Sequence, residues 1–139
     1  MNKHKAHQEQ QPGGARFARL VYLLAGTIGL LEIVPLYFYE ATFNRTQPPA
    51  ITHPEFYYGF LGVTLAWQVA FLVIATDPLR FRPLMPVSWI EKLLYPIAVG
   101  LLYSASRTGA AMIPAAILDV VWLGLFVTAW FRTRQPQPR

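Results

Sequence analysis

The stretch FARLVYLLAGTIGLLEIVPLYFY, residues 17–39, carries a single charge between Leu20 and Tyr39, the carboxyl of Glu32. Its length matches the run of about 20 apolar residues that a helix needs to cross a bilayer's hydrocarbon. Three further blocks of similar character follow, at residues 56–76, 89–106 and 110–131. With 54% hydrophobic and only 14% charged residues among 139, the chain is lopsided for a soluble domain. Open strands would leave backbone groups unpaired in lipid, and the blocks lack the alternation of barrel strands, so each reads as a helix.

The expected fold class is therefore all-α, an integral membrane four-helix bundle over residues 17–131, with no separate soluble domain. Tails at residues 1–16 and 132–139 are rich in Gln, Pro, Gly and charge, cannot bury apolar surface, and are expected to be disordered. The first block exceeds the ~7–15-residue core of a signal peptide and lacks a small-x-small site behind it, so it is expected to stay attached.

Orientation follows from the basic residues. Ten of the 12 Lys and Arg fall in the amino-terminal segment (Lys3, Lys5, Arg16, Arg19), the middle connection and its flank (Arg80, Arg82, Lys92) and the tail (Arg132, Arg134, Arg139). Arg45 and Arg107 lie on the other side. Short basic loops stay cytoplasmic, which puts both termini and the middle connection in the cytoplasm of a multi-pass inner-membrane protein. The net charge of +5 reflects this bias. No basic face is interleaved with aromatics, so nucleic acid is not an expected partner. The bilayer is, and a membrane protein or a lipid-like small molecule are candidates.

Trp89, Trp130, Tyr37, Tyr39, Tyr57 and Tyr58 fall near block ends, at headgroup depth, whereas Trp67 and Trp122 fall deeper and are expected to pack. The three-residue link Arg107–Thr108–Gly109 makes the last two spans an antiparallel pair. ATFNRTQPPAITHP forms a longer loop stiffened by Pro48, Pro49 and Pro54, and His53 in it reads as a solvated imidazole. Asp77–Pro78 ends the second span, with Asp77 shaping the loop beside Arg80 or Arg82. Glu91 and Lys92 are consecutive and are not expected to pair; Lys92 is expected to snorkel to headgroups and Glu91 to turn inward. Without cysteine, and with His4, His7 and His53 at no metal spacing, neither a metal nor a cofactor is expected. Phosphate-loop, dinucleotide and nucleophile-elbow motifs are also missing.

Depth singles out three polar residues. At 1.5 Å per residue, Glu32 lies roughly 20 Å from Arg19, Gln68 roughly 20 Å from Glu55, and Asp119 roughly 16 Å from Thr108. A carboxyl facing lipid costs at least ~2.5 kcal/mol, so Glu32 and Asp119 are expected to face the bundle interior, with Arg107 as a candidate cation. Pro35, Pro96 and Pro114 would free carbonyls nearby. The candidate ligand site is Glu32, Tyr58, Gln68, Trp122 and Asp119. The competing reading is hydrogen-bonded glue between helices, ~0.6 kcal/mol per contact. Gly26, Gly29, Gly59, Gly62 and Gly109 permit close approach but form no strict GxxxG pair.

With its acidic residue late in the first span, EFYYGFLG at the entry to the second, and DPLRFRPL leading into EKLLY, the chain over residues 17–131 resembles small bacterial inner-membrane proteins of the broad DoxX-like kind. That resemblance implies location and four-span topology, and association of some members with membrane redox complexes; it carries over no catalytic residue. A second resemblance, to four-span sterol isomerases and sterol-binding proteins, rests on buried acids and aromatics alone. The function expected is a non-enzymatic accessory or scaffold component. The alternative is a protein that binds a quinone, isoprenoid or sterol-like ligand, or an isomerase or redox-associated subunit, using Glu32 and Asp119 as proton donors or acceptors.

Overall fold

In the computed structural model, which describes residues 13–47 and 49–134, the chain forms α1 (Gly13–Leu36), α2 (Glu40–Thr46), α3 (Pro54–Thr76), α4 (Met85–Ser104) and α5 (Ile113–Arg132). Short 3-10 turns, Arg82–Leu84 and Ala110–Met112, lead into α4 and α5, and no strand occurs among the described residues. With those turns included, α1, α3, α4 and α5 are each long and apolar enough to cross a membrane.

Helix ends differ from the apolar block edges. α1 starts at Gly13, ahead of the first apolar residue, so residues 13–16 are helical where a disordered tail was expected; the expected disorder of residues 1–12 and 135–139 lies outside the described residues. A helix runs past its apolar stretch wherever its end has something to pack on, and Gly14 sits directly against the Arg132 carbonyl at the end of α5. The block starting at residue 89 likewise belongs to a helix that begins at Met85, with Pro86 in its first turn, where no backbone donor is needed. Pro114 holds the same first-turn position in α5, so it frees no carbonyl. The expected loop after the first span contains the unanticipated α2, with Glu40 in its first turn and Arg45 in its last, each favourable to the helix dipole.

α1 pairs with α3, α4 with α5, and α1 also lies along α5, whereas α3 and α4 touch sparingly. The first pairing depends on glycine. A Cβ at Gly26 would sit 2.8 Å from the Gln68 backbone oxygen, and one at Gly29 would collide with the Gln68 side chain, so these two positions let the α1 and α3 backbones approach. The second pairing is enforced by a tight turn in which Ser106 adopts φ 55° and Arg107 N–H donates to Leu102 O at 2.8 Å.

One end of the bundle, the terminal end, gathers the start of α1, the end of α3, the start of α4 and the end of α5. Here packing is dense. Tyr22 stacks on Phe126 at 4.3 Å, Phe71 meets Phe126 edge-on at 5.0 Å, and Ala18, Ala25, Ile74, Met85 and Ala129 fill the remainder. Trp67 and Trp122 pack against this cluster, as their depth suggested. Ser88 Oγ donates to Met85 O at 2.6 Å, which commits its proton, so the buried Tyr22 hydroxyl donates to Ser88 Oγ at 2.8 Å.

Toward the opposite, loop end the two hairpins part. The stripe Val21, Ala25, Ile28, Glu32 shows it: the first two are 5% and 3% exposed, Ile28 37%, and Glu32 is exposed. Each hairpin stays closed on itself, through Tyr57 Oη donating to Leu36 O at 2.8 Å in one and Tyr95 against the Met112 sulfur at 3.9 Å in the other.

Candidate functional site

Where the hairpins begin to separate, α4 and α5 place three charged side chains together. Lys92 Nζ lies 3.0 Å from Asp119 Oδ1 and 3.3 Å from Glu91, and 5.5 Å from the centroid of the Phe71 ring on α3. Lys92 is only 7% exposed, and both carboxylates are largely covered. Two of the sequence expectations are thereby corrected. Lys92 does not snorkel outward: it is on the same face of α4 as Met85, Ser88 and Val99, and its stem runs into the interior. Glu91 and Lys92 do pair despite being consecutive, because the flexible ammonium reaches across to the neighbouring carboxylate. Arg107 is exposed and forms no ion pair among the described residues; Lys92 is the cation of Asp119.

The cluster has one ammonium for two carboxylates. Glu91 Oε1 accepts from the ammonium at 3.3 Å, whereas its Oε2, at the same distance, is buried and accepts no hydrogen bond among the described residues. Such a group can take up a proton or accept a donor from a bound molecule, and truncating Lys92 would strand two carboxylates. Among the described residues no three metal-ligating side chains converge.

The five residues expected to form a ligand site do not meet in one pocket. Asp119 belongs to the charged cluster. Gln68 is buried but spends its amide on Thr64 O at 3.1 Å and packs against Gly29. Trp122 is half-buried on Phe126, with ring centroids 6.3 Å apart. Tyr58 is exposed at the loop end, where it donates to Glu40 at 2.7 Å. Glu32 is exposed, contrary to the expectation that it faces inward, and makes no hydrogen bond or ion pair among the described residues. His53 is exposed, 3.1 Å from Glu55, and Asp77 Oδ1 accepts the Arg80 backbone N–H at 3.1 Å rather than a guanidinium.

Outward of the Lys92–Asp119 pair, along the same seam, α4 and α5 leave a groove of about 350 Å³ between Pro96, Val99, Tyr103, Ala116 and Val120. Pro96 and Val99 stand one and two turns beyond Lys92, and Ala116 one turn beyond Asp119. The groove is apolar and opens to the outside of the bundle. Sequence reasoning missed both it and the role of Lys92; the available signal was the short 107–109 turn, which brings the two faces together. No protein-family model, no curated protein and no solved structure matches this chain.

Proposed function

We propose that the chain is a non-enzymatic accessory or scaffold component of the bacterial inner membrane, of the DoxX-like kind, with both termini cytoplasmic and its loop-end half seated against another membrane protein. The observation that carries this reading is the exposure of Glu32. A carboxyl on the outer surface of a span, roughly 20 Å beyond Arg19, is costly in lipid and is relieved by a neighbouring protein that offers a donor or a cation. Leu31, 71% exposed beside it, adds an uncovered apolar surface. A photo-crosslinking residue at Leu31 in native membranes should give a discrete adduct that Glu32→Leu abolishes, while the same residue at Ile117, on the opposite hairpin, gives none. Adducts of equal yield at both positions, insensitive to Glu32→Leu, would remove the reading.

The α4–α5 groove favours a second reading, a protein that binds the chain of a quinone, isoprenoid or sterol-like lipid with its head toward Lys92 and Asp119. Mass spectrometry of lipids extracted from protein purified in mild detergent tests it. A defined lipid lost in Ala116→Phe supports ligand handling, and bulk phospholipid alone, unchanged by that substitution, opposes it.

A further inference from the structure

At the terminal end six arginines, Arg16, Arg19, Arg80, Arg82, Arg132 and Arg134, form no ion pair among the described residues. Three of them lie over aromatic rings: Arg82 over Trp130 at 4.4 Å, Arg132 over Phe17 at 4.5 Å and, more loosely, Arg80 over its neighbour Phe81 at 5.4 Å. A guanidinium held flat on a ring keeps its in-plane donors free for an acceptor. The Arg82 fork is poorly used among the described residues. There its one hydrogen bond, Nη2 to Trp130 O, is long at 3.4 Å, and its Nε is buried without an acceptor.

A second orphan lies on the same tryptophan. Trp89, two helical turns beyond Arg82, meets Trp130 edge-on at 5.4 Å, and its Nε1 is also buried without a hydrogen-bond partner among the described residues. The Trp130 ring gives that N–H at most a weak acceptor. Both unmatched groups are donors only, so they call for an acceptor and not a cation, and the charge on Arg82 favours an anionic one. Arg82 is half-buried on a flexible stem and can swing to admit an oxygen.

We propose that Arg82 and Trp89, arranged around Trp130, bind the phosphate of an anionic glycerophospholipid in the leaflet that meets the terminal end. This rests on the membrane reading of the four spans, not on the accessory role. The position fits the chemistry: basic pockets between membrane helices take acidic headgroups, guanidinium forks match phosphate oxygens, and an indole N–H at headgroup depth donates to the same oxygens. Arg16 and Arg132 add long-range attraction without being part of the site.

The test uses the full chain, delipidated in neutral detergent and titrated separately with phosphatidylglycerol, phosphatidylcholine and inorganic phosphate, followed by native mass spectrometry and thermal unfolding. Phosphatidylglycerol should bind and raise the melting temperature, phosphatidylcholine should not, and Arg82→Gln should weaken phosphatidylglycerol by about tenfold, the loss expected for a charge-assisted bond. Arg82→Lys, which keeps the charge but removes the fork, should lose most of that affinity, and Trp89→Phe, which keeps a ring but removes the donor, about threefold. Arg80→Gln is the control and should change little. Binding of inorganic phosphate with the same dependence on Arg82 and Trp89 would still support the phosphate site while identifying a free anion as its source. Equal losses in Arg80→Gln and Arg82→Gln, or full affinity in Arg82→Lys and Trp89→Phe, would reduce the effect to diffuse charge and overturn the proposal.

Discussion

Lys92 on α4 and Asp119 on α5 meet at 3.0 Å, and this ion pair bridges the two helices of the second hairpin within their covered faces. Replacing Lys92 by Met should cost about 3–5 kcal/mol, because it leaves Asp119 and Glu91 covered and without their cation. Lys92→Met with Asp119→Leu should recover much of that loss, since an apolar pair of similar volume fits the same seam. Thermal unfolding of the four members of this double-mutant cycle in detergent measures the coupling. Equal destabilisation by the single and double variants would show that the pair contributes nothing through its charge.

Glu32 should behave in the opposite way. It is exposed and unpartnered among the described residues, so Glu32→Gln and Glu32→Leu should leave the stability of the isolated protein within about 0.5 kcal/mol of the parent. The substitutions should instead alter what co-purifies or crosslinks in native membranes. A large drop in unfolding temperature for either variant in detergent would place Glu32 in the fold and not at an interface.

Two glycine substitutions should separate contact from propensity. Gly26→Ala sets a methyl 2.8 Å from the Gln68 backbone oxygen and should cost about 1–3 kcal/mol by forcing α1 from α3. Gly59→Ala meets nothing within 4 Å and should be neutral or stabilise by up to about 1 kcal/mol through helix propensity. Calorimetry on both proteins in the same detergent gives the comparison directly.

In the core, Tyr22→Phe removes one hydrogen bond and should cost about 1 kcal/mol. Ser88→Ala should cost more, about 1–3 kcal/mol, since it leaves the buried Tyr22 hydroxyl without its acceptor. Unfolding midpoints ranking the two variants in the reverse order would contradict the proton assignment between these hydroxyls.

Topology can be read with an impermeant thiol reagent, because the chain has no cysteine of its own. Single cysteines at Gln8, Arg80 and Gln137 should be protected in intact cells, and one at Thr46 should label. Labelling at Gln8 or Gln137 would invert the proposed orientation.

The four long helices were legible because an apolar block of bilayer length admits few other structures. Register between them was not. A hairpin centred on the 107–109 turn sets Asp119 opposite Ile97, about 7.5 Å along the helix from Lys92, and only the reach of the lysine stem closes that gap. The outward position of Glu32 was hidden for a different reason. Its stripe begins with buried Val21 and Ala25, so helical periodicity alone turns it inward; the exposure comes from the parting of the hairpins, and in a chain that is apolar both inside and outside, no contrast in the sequence marks where they part. The α4–α5 groove depends on the same register: the 107–109 turn marks which two helices line it but not where along them it lies.

The turn at Ser106 has a consequence for biogenesis. α4 is the least apolar of the four spans and bears Glu91 and Lys92, while the carboxylate nearest its lysine lies on α5. Entering lipid alone, α4 would carry both charges without Asp119; entering together with α5, it brings the ion pair already formed. Since only a few residues separate the helices, the second emerges from the ribosome almost at once behind the first. The insertion machinery would then receive this half of the protein as one preassembled hairpin, and lengthening the 105–109 link should stall α4 outside the bilayer even though no residue of either helix has changed.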